Sequence, residues 1–114
     1  MQVIISSTKR VLVGNLTVAD SIFKRAKGLL GRTSLANNSG LMLKPCKAVH
    51  TFGMKFEIDI IFLDKENRVI KIIEALKPNR ITAVYSRAAT VLELAGGSTA
   101  EAQLSPGDYL EIID

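Results

Sequence analysis

Two runs of strong strand formers, Ile58-Asp59-Ile60-Ile61-Phe62-Leu63 and Arg68-Val69-Ile70-Lys71-Ile72-Ile73, are separated by the polar stretch Asp64-Lys65-Glu66-Asn67. β-Branched and aromatic residues bounded by turn chemistry specify a hairpin. An isolated hairpin is marginal in water, so other elements must cover its apolar faces. The chain supplies them in kind. Val3-Ile4-Ile5 and Val11-Leu12-Val13 flank Ser6-Ser7-Thr8-Lys9-Arg10, a second hairpin. Leu41-Met42-Leu43 is a short strand stopped by Pro45. Ile81 to Tyr85 forms a further strand, and Thr90-Val91-Leu92-Glu93-Leu94 is a strand ending at Gly96-Gly97. Pro106-Gly107-Asp108 turns the chain into a closing strand, Tyr109 to Ile113.

One segment has helical spacing. Ile22, Phe23, Ala26, Leu29 and Leu30 fall on one face, with Lys24, Arg25 and Lys27 off it. Thr17 and Asp20 resemble a capping box at its start, and Gly31 suits its end. Helices do not alternate with strands, which argues against a parallel doubly wound sheet. The fold expected is α+β, mainly β: a curled antiparallel sheet or small barrel with one main helix near the N-terminus. With 114 residues, 47% of them apolar, and no repeat or linker, the chain is expected to form a single domain, 1–114.

Composition narrows the function classes. One cysteine, Cys46, excludes an intramolecular disulfide and fits a reducing compartment. The apolar run at the start is too short for a signal peptide, and no stretch approaches the ~20 apolar residues of a membrane helix. A soluble, cytoplasmic protein without a membrane span is the expectation. Residues 1–55 hold nine Lys/Arg against one acid, and residues 56–114 hold six against ten. A basic face for an anionic partner is one reading; mutual neutralisation in a compact fold is the other, and the one adopted. With only four Phe and two Tyr to stack on bases, specific nucleic-acid binding is not expected. The partner expected is an unknown small molecule or protein; the oligomeric state is not specified by the sequence.

Asp59 is the most anomalous residue. A carboxylate inside an apolar strand needs a partner if buried, and Lys55, His50 and Arg80 are the candidates. It reads either as a structural acceptor of backbone N–H groups from the 45–55 loop or as a general base. Cys46 and His50 have the composition of a nucleophile and its base, with Asp59 to orient the imidazole. The plainer reading makes Cys46 a small buried hydrophobe and His50 a hydrogen-bonded loop residue. One Cys and one His are too few for a zinc site, so no metal or cofactor is expected. Glu93 is read as a solvated or salt-bridged strand residue, with an acid–base pairing to Asp59 as the alternative. Gly28-Leu29-Leu30-Gly31 has no phosphate-loop spacing.

Several strings together resemble one family: Gly28-Leu-Leu-Gly-Arg32, Gly40-Leu-Met-Leu43, His50-Thr-Phe-Gly-Met-Lys-Phe-Glu-Ile-Asp-Ile-Ile-Phe-Leu-Asp64, Val91-Leu-Glu-Leu-Ala-Gly96 and Pro106-Gly-Asp108. In this order they resemble the domain of unknown function 192 family, also called uncharacterised protein family 0127, from about residue 11 to residue 113. The resemblance implies a small, mostly-β prokaryotic domain and carries no activity to transfer. Many relatives have an aromatic–Trp–Met–Lys–Asn run where this chain has Phe52-Gly-Met-Lys55, so Gly53 departs from the pattern. Met54, Lys55 and Asp59 match both forms. The reading is a β-rich binding or accessory module with a polar site at His50, Met54, Lys55, Asp59 and Arg80. The alternative is a small hydrolase using Asp59 with His50 or Cys46.

Overall fold

The computed structural model describes residues 1–19, 35, 36 and 38–114. The expected helix over Ile22 to Leu30 lies outside them. Eight strands are described: β1 (Gln2–Ile5), β2 (Val11–Val13), β3 (Asn15–Ala19), β4 (Ser39–Leu43), β5 (Ile58–Leu63), β6 (Val69–Leu76), β7 (Thr90–Ala95) and β8 (Leu110–Ile113). One four-residue helix, α1 (Ser98–Glu101), follows β7. The strands form two sheets, β2-β1-β8 and β3-β4-β7-β5-β6. The sheets do not close into a barrel. Both expected hairpins form, β1–β2 and β5–β6.

Two departures from expectation have physical causes. Thr17 is not a helix cap but the centre of β3, which runs parallel to β4 with Thr17 opposite Leu41. β3 is half-exposed: Leu16 and Val18 pack toward the small sheet, Asn15 and Thr17 face outward, and Ala19 joins the other cluster, a pattern too short to announce itself. The segment Ile81 to Tyr85 makes no full strand; it forms one bridge, His50 to Ile81, and its spacing against residues 47–50 is too irregular for a continuous ladder.

All six residues of β5 and all six of β7 are buried, because both faces of the large sheet are covered. On one face Ile61, Leu63, Leu92 and Leu94 pack against Val3, Ile5, Leu12 and Leu110 of the small sheet. The sheets approach closely at Gly40, where a Cβ would stand 3.3 Å from both Val13 methyls of the small sheet and 2.7 Å from a methyl of its own neighbour Leu94. On the other face Leu41, Leu43, Ile58, Ile60, Phe62 and Val91 are covered by Cys46, Val49, Met54 and Ala88. Irregular chain rather than a sheet thus roofs the second face, and this roof carries Cys46, His50, Met54, Lys55 and Arg80, whereas Asp59 lies in β5.

Candidate functional site

The roof is built from two segments running antiparallel. Thr51 N–H donates to Arg80 O (2.8 Å), Thr82 N–H to Val49 O (2.9 Å) and Tyr85 N–H to Lys47 O (2.9 Å). Side chains alternate along 49–52. Val49 and Thr51 are buried, whereas His50 and Phe52 face solvent. Thr51 fastens the two segments. Its hydroxyl donates to Lys77 O (2.7 Å) and accepts from Arg80 N–H (2.9 Å), and its carbonyl accepts from Asn79 N–H (3.0 Å) and Met54 N–H (3.1 Å). No sequence signal singled out Thr51; only its place between two exposed neighbours in an extended stretch hints at burial.

The outer face of this ribbon is apolar and basic. Ile81 is 72% exposed, Val84 70% and Phe52 50%. The His50 ring stacks on Phe52 at 5.1 Å between centroids and 26° between planes. Its Nδ1 accepts the Phe52 N–H at 3.3 Å. His50 also lies opposite Ile81 across the bridge, so Phe52, His50 and Ile81 adjoin. Lys55, Lys77, Arg80 and Arg87, in or next to the two segments in sequence, are exposed. Among the described residues the one ion pair is Lys9–Glu111, far along the sequence from either segment, so these four cations have no acidic partner there. Lys47 donates to Ser86 O (2.8 Å) and Ala88 O (2.6 Å).

The structure brings together His50 and Arg80 on the paired segments, with Lys55 close in sequence. Met54 lies beneath, in the apolar cluster with Ile58 and Ile60. Asp59 stands apart. It is fully buried, and its partners are not the 45–55 loop. Oδ1 accepts Ala75 N–H (2.8 Å) and Gly97 N–H (3.1 Å); Oδ2 accepts Thr99 N–H (2.9 Å) and Thr99 Oγ1–H (2.8 Å). The local backbone explains these donors. Ile58 pairs with Leu76 and Ile60 with Ile73, so Asp59 faces two residues of β6 and Ala75 is extra, with φ 49°. This bulge releases the Ala75 N–H from the ladder. Gly97, at φ 92°, turns the chain into α1, which has no side-chain cap of its own. Asp59 satisfies the orphan donors of that turn from a distant strand. Four donors occupy its lone pairs, which leaves nothing with which to take a substrate's proton.

Asp59 does not meet Cys46 or His50. Asp59 lies opposite Leu94 of β7 and shares its face, toward the small sheet, whereas Cys46 packs with Ile58 and Ile60 on the other. Cys46 is a buried thiol whose Sγ contacts Ala48 O at 3.1 Å. Glu93 corrects a second expectation. It pairs with Ile60 and Leu41, so it faces away from Asp59 and the two acids form no pair. Nor is it solvated: it is only 7% exposed. Among the described residues no donor or cation reaches it, and burial pushes its carboxyl up to about 7. Among the described residues no group of His, Cys, Asp and Glu could hold a metal ion. Nor is any helix there long and apolar enough to cross a membrane.

Comparisons with known proteins fit this mainly-β architecture. A solved structure of a protein of unknown function from Novosphingobium aromaticivorans superposes with a TM-score of 0.83 at 26% identity, covering 97% of this chain and 82% of that one. UPF0127 protein PYRAB11210 of Pyrococcus abyssi is 32% identical over 119 residues, 99% of each chain. UPF0127 protein PH1112 of Pyrococcus horikoshii is 37% identical over 83 residues, 70% of this chain and 71% of the relative. The family DUF192, described as "Uncharacterized ACR, COG1430", matches residues 3–112. The chain belongs to this family.

Proposed function

We propose that the protein is a binding module that docks a partner through the outer face of the ribbon formed by residues 47–52 and 80–85. The observation that carries this reading is the exposure of Ile81, Val84 and Phe52 on one surface element. Single exposed apolar residues are ordinary, but a group of them rimmed by polar residues marks an interaction site. His50 and Arg80 belong to this surface, Lys55 adjoins it, and Met54 supports it from below. Asp59 braces the large sheet from its far side. The hydrolase reading finds less support, because Asp59, His50 and Cys46 do not converge.

Selection of binders from a displayed library of random ten-residue peptides tests the reading. Clones enriched on the wild-type protein are expected to lose binding to the Ile81→Asp/Val84→Asp double variant. Both positions are exposed, so the variant is expected to keep the wild-type urea midpoint. Clones that bind both proteins equally would place the site elsewhere.

A further inference from the structure

The ribbon offers more than side chains. In an antiparallel pair, residues alternate between turning their backbone groups toward the partner strand and away from it. Arg80 and Thr82 turn theirs inward, to Thr51 and Val49. Ile81, between them, turns its N–H and C=O outward. Among the described residues neither group of Ile81 makes a hydrogen bond, and neither does the N–H of Ala83. These groups form a short unpaired edge beside the two most exposed apolar side chains of the ribbon. An open edge of this kind is a template for another extended chain.

Charge indicates what that chain is. Residues 44–55 and 77–87 carry Lys44, Lys47, Lys55, Lys77, Arg80 and Arg87, with no Asp or Glu between them. A surface with one sign of charge steers and retains partners of the other. Nucleic acid is also anionic, but Ile81 and Val84 have no ring to stack on a base, and an open backbone edge matches a polypeptide rather than a phosphate chain.

We infer that the edge at Ile81–Ala83 receives an extended acidic segment of a partner protein, which adds as a strand and alternates acidic with apolar residues. The inference rests on the docking reading above and specifies its mode and partner. Main-chain bonds to Ile81 and Ala83 supply the alignment. Apolar side chains of the added strand pack on Ile81, Phe52 and Val84. Its acids meet Arg80 and the neighbouring lysines.

The probe is the peptide library already named, followed by synthetic copies of the enriched sequences. The enriched peptides are expected to carry Asp or Glu at alternate positions between Val, Ile, Leu or Phe. N-methylation of alternate backbone amides on the bonding side is expected to weaken binding about tenfold or more, and N-methylation of the intervening amides to leave it within about threefold. Binding is expected to weaken when Arg80 is changed to Glu and to persist in the presence of oligothymidine. Four results would overturn the inference. If N-methylation at either set of positions has no effect but Ile81→Asp/Val84→Asp still abolishes binding, docking stands and strand addition fails. If the enriched peptides lack acids, the partner chemistry is wrong. If oligothymidine displaces them and binds the ribbon more tightly, the partner is a nucleic acid. If no peptide is enriched, or none depends on Ile81 and Val84, the docking reading falls with the inference.

Discussion

Among the described residues two carboxylates are buried, one residue apart in register and on opposite faces of the same sheet. Asp59 receives four hydrogen bonds; Glu93 receives none from the described residues. Removing the acceptor at Asp59 strands buried donors, each costing ~1–3 kcal/mol. Asp59→Ala is therefore expected to lower unfolding stability by about 3 kcal/mol or more, measured from urea transitions; a stability loss under about 1 kcal/mol would refute this bracing role. Glu93 behaves oppositely. Its carboxyl is held at about 7, above the ordinary 4.5, by burial. The folded state therefore binds a proton that the unfolded chain releases. Stability from this group is present below pH ~4.5 and lost as pH rises toward ~7, in total about 3 kcal/mol. Glu93→Gln is expected to flatten that slope and to be more stable than wild type at pH 8. Matching pH profiles of the two proteins would contradict the buried, unpaired charge. Asp59 was visible in the sequence as a charge inside an apolar run, and strand alternation correctly turned it away from Ile58 and Ile60. Its donors were not visible, since they depend on a bulge at Ala75 and on the left-handed turn at Gly97. Glu93 shows the same alternation, yet the pattern cannot tell whether a strand's second face meets water or a roof.

The strands that neighbour each other in sequence were legible because their signals are local. β5–β6 announces itself by β-branched runs around a polar turn, in which Asp64 Oδ1 accepts Glu66 N–H (2.8 Å) and Arg68 N–H (3.0 Å). β3 was not legible: its partner β4 is distant and parallel, and Thr17 with Asp20 imitates a cap. The roof was legible only as an irregular stretch, since Thr51 orders it through contacts with residues 77–80. This gives an element-level test. Thr51→Val keeps the shape and removes the hydroxyl that Lys77 O and Arg80 N–H use. It is expected to cost about 2 kcal/mol and to accelerate amide exchange at Arg80 and Thr82 before the sheets open. Unchanged exchange at those amides would show that the roof is held by packing alone.

Across the whole molecule, β5 and β7 contribute side chains to both apolar clusters, so neither cluster survives loss of the other. Unfolding is expected to be one cooperative transition, with tyrosine fluorescence and far-ultraviolet circular dichroism coincident in urea; separated midpoints would divide the chain into two units. The basic segments should attract any polyanion weakly. Affinity for single-stranded oligonucleotides at physiological salt is expected to be no tighter than ~10⁻⁶ M, falling steeply with salt. Sequence-selective binding below that concentration would reverse the assignment of the ribbon to polypeptide.

In the small sheet β1 lies between β2 and β8, with Val3 opposite Ile112. That pairing closes a loop of roughly a hundred residues, at an entropic cost of about 4 kcal/mol or more. Folding dominated by such distant pairings runs in milliseconds to seconds, and stopped-flow refolding is expected to fall in that range; microsecond refolding would contradict it. There is also a consequence in time. During synthesis β8 is made after the other described strands, and until it arrives the face of the large sheet that carries Ile61, Leu63, Leu92 and Leu94 lacks the cover of Leu110. Ile61 and Leu63 therefore wait through more than forty further residues of synthesis, and Leu92 and Leu94 through fewer than twenty, before Leu110 can cover them.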